Sequence, residues 1–128
     1  MPARDRPRAL VIDDEESLRL LFSDFLSLRG YDVETAGTAV AGLAVARERP
    51  PSIILLDLNM PGVVSGAEAV AALARVAPVI VVSGTDDVEL ARDTLQQGAF
   101  DYVTKPFDLN HLATIMAAAI THRGGTPP

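Results

Sequence analysis

At 128 residues, with 48% hydrophobic and 22% charged side chains, the chain has the size and composition of one globular domain, with no room for a second. The net charge of −6 argues against a nucleic-acid footprint, and the absence of cysteine excludes disulfides, thiolate metal sites and a cysteine nucleophile. No apolar run approaches the ~20 residues that span a bilayer and no signal peptide is evident, so the expected compartment is cytoplasmic, without membrane or direct nucleic-acid contact.

Residues 1–7 read as a flexible, solvated arm in which basic residues gather. Arg8-Ala9-Leu10-Val11-Ile12 is an apolar strand that runs directly into Asp13-Asp14-Glu15-Glu16. Over residues 17–29, Leu18, Leu21, Phe22, Phe25 and Leu28 recur at helical spacing, and Gly30 supplies the stop. Residues 31–36 form a short strand, after which Gly37-Thr38 offers an N-cap to an alanine-rich helix ending before Pro50. Ile53-Ile54-Leu55-Leu56 is too short for a buried helix and β-branched enough for a central strand, and it delivers Asp57 to its end. A third helix is expected over residues 66–77, closed by Pro78. Val79-Ile80-Val81-Val82 is another solidly apolar strand, stopping at Ser83-Gly84-Thr85-Asp86. Asp86 or Asp87 then caps a fourth helix closed by Gly98, and residues 99–104 make a fifth strand before Lys105-Pro106. Asp108 caps a last helix through Ile120, and residues 122–128 are a polar Gly/Pro tail or the start of a linker.

Five strands alternating with five helices predict an α/β fold: a parallel sheet covered on both faces, with ligands beyond the carboxyl ends of its strands. That edge gathers Asp13, Asp14, Asp57, Ser83 and Lys105. Each has a plainer reading alone. Asp57 and Ser83 suit turns, Asp13 and Asp14 suit a helix N-terminus, and a chain with ten arginines could have kept one lysine by chance. Jointly they describe a site. Clustered carboxylates repel unless a cation shares the space, and a donor set of oxygens alone favours a hard ion, Mg²⁺ over Ca²⁺. Such an ion suits phosphoryl transfer in which Asp57 is the nucleophile and forms an acyl phosphate, with Lys105 and Ser83 holding the phosphoryl oxygens.

Over residues 8–120 the sequence resembles the receiver domain of bacterial two-component response regulators. The resemblance is carried by Val11-Ile12-Asp13-Asp14-Glu15, Leu56-Asp57-Leu58-Asn59-Met60-Pro61, Val81-Val82-Ser83-Gly84 and the segment from Gly98 through Lys105-Pro106-Phe107, in that order. It implies a flavodoxin-like doubly wound sheet of order 2-1-3-4-5, with the receiver over residues 8–121. It also implies phosphorylation of Asp57 by a sensor histidine kinase or phosphotransfer protein. Asp14 and Asp57 would ligate Mg²⁺ with the Asn59 backbone carbonyl, and Asp13 would act mainly through water. Ser83 and Tyr102 resemble the switch pair, Asn59 and Thr85 occupy the positions that tune dephosphorylation, and Lys105-Pro106 is expected to be cis. On this reading the chain is a phosphoacceptor that assists its own phosphorylation, not an enzyme acting on an outside substrate, and it controls a downstream protein or output domain.

Two features depart from the pattern. The segment from Met60 to Gly66 has one residue more between Pro61 and its second glycine than is usual, and the helix after it looks short. The last helix, with Leu112-Ala113-Thr114-Ile115-Met116-Ala117-Ala118-Ala119-Ile120, is apolar beyond one face. It has either a neutral outer side or a surface for a partner or second copy. The competing functions are a degenerate receiver serving only as an interaction module, a Mg²⁺-dependent aspartyl phosphohydrolase, and a nucleotide-binding α/β domain. A phosphohydrolase would place a second Asp where Asn59 stands, and no glycine-rich loop follows the first strand to bind a nucleotide.

Overall fold

A computed structural model describes residues 6–58, 66–84 and 88–128. The elements alternate as β1 (Arg8–Ile12), α1 (Glu16–Leu28), β2 (Asp32–Ala36), α2 (Ala39–Glu48), β3 (Ile53–Asp57), α3 (Gly66–Ala74), β4 (Val79–Ser83), α4 (Val88–Gln96), β5 (Asp101–Thr104) and α5 (Leu109–His122). The strands form one parallel sheet in the order β2-β1-β3-β4-β5, which is the doubly wound arrangement expected. Its order reverses between β1 and β3, so a crevice opens there beyond the strand ends.

The three inner strands are apolar along their length up to a polar end residue because helices cover both faces. Every residue of β3 and β4 is buried, whereas the edge strands β2 and β5 are largely half-exposed. On one face Leu10, Ile12, Ile54, Leu56, Val79 and Val81 pack with residues of α2 and α3, including Ala46, Val70 and Leu73. On the other, Ala9, Val11, Ile53, Leu55 and Ile80 pack with Phe22 and Leu26 of α1 and with Leu112, Met116 and Ile120 of α5. At Gly42, a Cβ would sit 2.3 Å from Ile12 Cδ1, so only glycine lets α2 lie this close to the end of β1.

Local signals set the helix ends. Thr38 Oγ1 accepts from the Ala41 N–H at 3.1 Å, and Asp108 Oδ1 accepts from the Asn110 N–H at 2.8 Å, each satisfying a first-turn donor. Gly30 and Gly98 stop α1 and α4 with φ of 98° and 113°, and the next residues, Tyr31 and Ala99, donate back to the Leu26 and Thr94 carbonyls.

Those closures also correct the expected boundaries. Tyr31 and Ala99 are spent on the helix stops, so β2 starts at Asp32 and β5 at Asp101. The third helix ends at Ala74 instead of Ala77. Pro78 disfavours helical backbone before it, and the Arg123 guanidinium takes the Ala74 carbonyl at 2.7 Å. The last helix runs past Ile120 to His122. Ile115 packs partly buried against the core, and the exposed positions of the helix are Asn110, His111, Thr114, Ala118, Thr121 and His122. The Asp86 and Asp87 caps and the enlarged loop after Asp57 lie outside the described residues. Among the described residues, no helix is long and apolar enough to cross a membrane.

Candidate functional site

Strand phase sorts the site into two groups. Along β1, Ala9 and Val11 face the layer of α1 and α5, and Asp13 follows in the same phase. Along β3, Ile53 and Leu55 do the same and Asp57 follows, while Val103 of β5 is succeeded two residues on by Lys105. In the opposite phase, Val79 and Val81 lead to Ser83, and Tyr102, paired with Val81 across the ladder, packs with that second layer. The acids and the lysine therefore meet on one side of the strand ends, with the hydroxyl and the tyrosine set against the other.

One carboxylate oxygen from each of Asp13, Asp14 and Asp57 lies within 4.8 Å of the other two. Asp13 and Asp57 are buried, at 2% and 5% exposure, whereas Asp14 is exposed. Lys105 Nζ stands 3.5 Å from Asp57 Oδ2, at the outer limit of a hydrogen bond, so the pair is held chiefly by charge. The lysine is fixed from behind. Its N–H donates to the Ser83 carbonyl at 2.7 Å, the Lys105–Pro106 peptide is cis, and Phe107 stacks on Phe22 of α1 with ring centroids 5.9 Å apart.

Asp13 is the most constrained of the acids. Its N–H donates to the Ala36 carbonyl at 3.0 Å, its Oδ1 accepts from the Glu15 N–H at 2.9 Å, and its carbonyl accepts from Arg19 Nη1 at 2.7 Å. Burial pushes its carboxyl up to about 6. The Asp57 charge and a hydrogen bond to that side chain add to the rise, against the Glu15 N–H and Lys105. A buried acid with this proton affinity, two further carboxylates and neither nitrogen nor sulfur donors among them make a set that fits a hard divalent cation.

This shift gives Asp13 a defined contribution to the pH dependence of the metal-free protein. Between the ordinary aspartate value of 3.8 and about 6, the folded chain keeps a proton on Asp13 that the unfolded chain has released. Stability must therefore fall as pH rises through that window. Asp13→Asn, which can still accept from Glu15, is expected to flatten this slope. At pH 7.5 it should raise metal-free stability by about 2 kcal/mol in urea titrations.

The sequence-predicted Asp13, Asp14, Asp57 and Lys105 are thus brought together, with Ser83 buried at the next strand end and Tyr102 half-buried on β5. Asn59 and Thr85 lie outside the described residues. Sequence reasoning missed Arg19. Its one available signal was being the only basic residue in α1, on a helix otherwise apolar or acidic and hydroxylic.

A doubly wound sheet whose strand ends hold three carboxylates and a lysine defines a receiver-type domain. A family model, the response regulator receiver domain, matches residues 9–117. The transcriptional regulatory protein KdpE of Mycobacterium tuberculosis is 40% identical over 113 residues, covering 87% of this chain and 50% of its own length. PrrA of the same species is 37% identical over 123 residues, with 94% and 52% covered. Among solved structures, a CheY-like receiver domain protein from Methanospirillum hungatei superposes with a TM-score of 0.86 at 25% identity, covering 93% of this chain and 97% of that one. A response regulator from Burkholderia pseudomallei, crystallised with a phosphorylated aspartic acid, a calcium ion and citrate, gives 0.81 at 25% identity, with 92% and 71% covered. The chain belongs to the response regulator receiver domain family. It spans about half the length of the KdpE and PrrA relatives it matches.

Proposed function

We propose that the chain is a phosphorylation-dependent switch in which Asp57 accepts a phosphoryl group from the phosphohistidine of a sensor kinase or phosphotransfer protein. The observation that carries this reading is the position of Asp57: buried at the end of β3, within 4.8 Å of two other carboxylates and 3.5 Å from the Lys105 ammonium. A carboxylate oxygen of Asp57 attacks phosphorus, the phosphorus–nitrogen bond of the donor breaks, and the leaving imidazole takes up a proton. Lys105 meets the charge spread over the transferring oxygens. Asp14 and Asp57 would hold Mg²⁺ with the Asn59 carbonyl, and Asp13 would act mainly through water; when bound, the ion would supply neutralisation of the charge on those same oxygens.

The response is a change of binding surface. Ser83 moves its hydroxyl onto the new phosphoryl group, and the Tyr102 ring, half-buried against the other core, turns further inward. Asn59 and Thr85 tune how fast water removes the phosphate. The domain turns over no outside substrate; it acts in the cytoplasm and its output is a partner or output domain. The transcriptional regulators among its relatives support an output in transcription, and the net charge of −6 leaves nucleic-acid contact to that output module.

Incubation with acetyl phosphate and Mg²⁺, read by intact mass, tests the reading. One labile phosphate per chain, absent when the metal is chelated, is expected. An unlabelled chain would leave only an interaction module, and continuous release of phosphate from many esters would favour a phosphohydrolase.

A further inference from the structure

We propose that Arg19 is a positioning residue that sets the affinity of the acidic cluster for its divalent cation, an inference that rests on the metal-dependent reading above. β1 ends at Ile12, and the Asp13 N–H makes the last bond to the β2 side, reaching Ala36. The Asp13 carbonyl then points away from the ladder and is taken by Arg19 Nη1 at 2.7 Å. Arg19 sits in the first turns of α1, and its own N–H donates to the Glu15 carbonyl at 3.0 Å. The first of these bonds is made by the side chain and the second is the ordinary backbone bond of the helix, so the guanidinium ties the Asp13 end of the acidic turn to the first turn of α1.

The guanidinium also lies across Gly37, in the connection from β2 to α2, where a Cβ would contact Nη1 at 3.4 Å. The guanidinium thus lies between the β1–α1 turn and the neighbouring turn at the same sheet edge. Asp14 follows directly on the tied Asp13 and is exposed, so the course of its main chain weighs heavily in placing its carboxylate beside Asp57. Arg19 acts through the backbone: the charges bearing on the Asp13 carboxyl are those of Asp57 and Lys105. A planar, always-charged fork suits a carbonyl and a confined groove better than a lysine does. Groups that orient metal-holding residues are typically worth about 10–100-fold in metal affinity.

The test is a Mg²⁺ titration of the full chain, read as the rise in thermal midpoint and, separately, as the rate of labelling by acetyl phosphate. Arg19→Met is expected to raise the half-saturating Mg²⁺ concentration about tenfold in both readouts. At saturating Mg²⁺ its labelling rate should come within about twofold of wild type, because the ammonium and nucleophile are untouched. Arg19→Lys should fall between the two. Arg29→Ala serves as the control, since Arg29 is also on the α1 side of the molecule and bonds a side chain, Asn110, but is remote from the turn. It should leave half-saturation unchanged. An unchanged half-saturation in Arg19→Met, or an equal rise in Arg29→Ala, would overturn the assignment. A wild-type chain that ignores Mg²⁺ would overturn the metal reading itself, and the role of Arg19 with it.

Discussion

Asp57→Asn is expected to take up no phosphate from acetyl phosphate at any Mg²⁺ concentration, while keeping the wild-type fold by circular dichroism. The amide is nearly isosteric with the carboxylate, so the β3 ladder and the packing of Leu55 and Leu56 persist. What disappears is the buried carboxylate oxygen that lies 3.5 Å from the Lys105 ammonium and beside the other acids. Asp13 is not an equivalent substitute, because one of its oxygens is committed to the Glu15 N–H. Residual labelling above about 1% of wild type would mean that a second residue accepts phosphate.

Lys105→Ala is expected to slow labelling by about 100-fold or more at saturating Mg²⁺, the usual effect of removing one preorganised charge from a developing anion. The ammonium lies 3.5 Å from Asp57, and its main chain is pinned by the Ser83 carbonyl and the Phe107–Phe22 stack. Stabilisation by Mg²⁺ should survive, because no carboxylate is lost and one competing positive charge is. Labelling and metal binding therefore separate in this variant, whereas a merely structural lysine would lower both together. Lys105→Arg should rescue poorly, as a planar guanidinium presents its charge differently from a compact ammonium.

The sheet was legible because its inner strands are buried on both faces and so are written as unbroken apolar runs, each ending in a polar residue. Asp57 read alone was as good a turn former as a nucleophile. It became specific only when the topology placed Asp13, Asp14, Ser83 and Lys105 at the same edge. Boundaries were less legible where two signals shared one residue: Tyr31 and Ala99 look like strand starters but close the preceding helices. Pro78 disfavours helix directly only at Ala77, and α3 stops earlier, at Ala74, whose carbonyl is taken by Arg123. Arg19 was invisible for a different reason. Its partner is a main-chain carbonyl, and backbone partners leave no residue type to recognise.

The central claim is that one particular carboxylate, Asp57, receives the phosphoryl group. Borohydride reduction of the acetyl phosphate-treated chain converts an aspartyl phosphate to homoserine, which tandem mass spectrometry locates by residue. Homoserine at position 57 alone is the predicted result; homoserine at Asp13 or Asp14, or phosphate retained on a hydroxyl or imidazole with Asp57 unchanged, would contradict it.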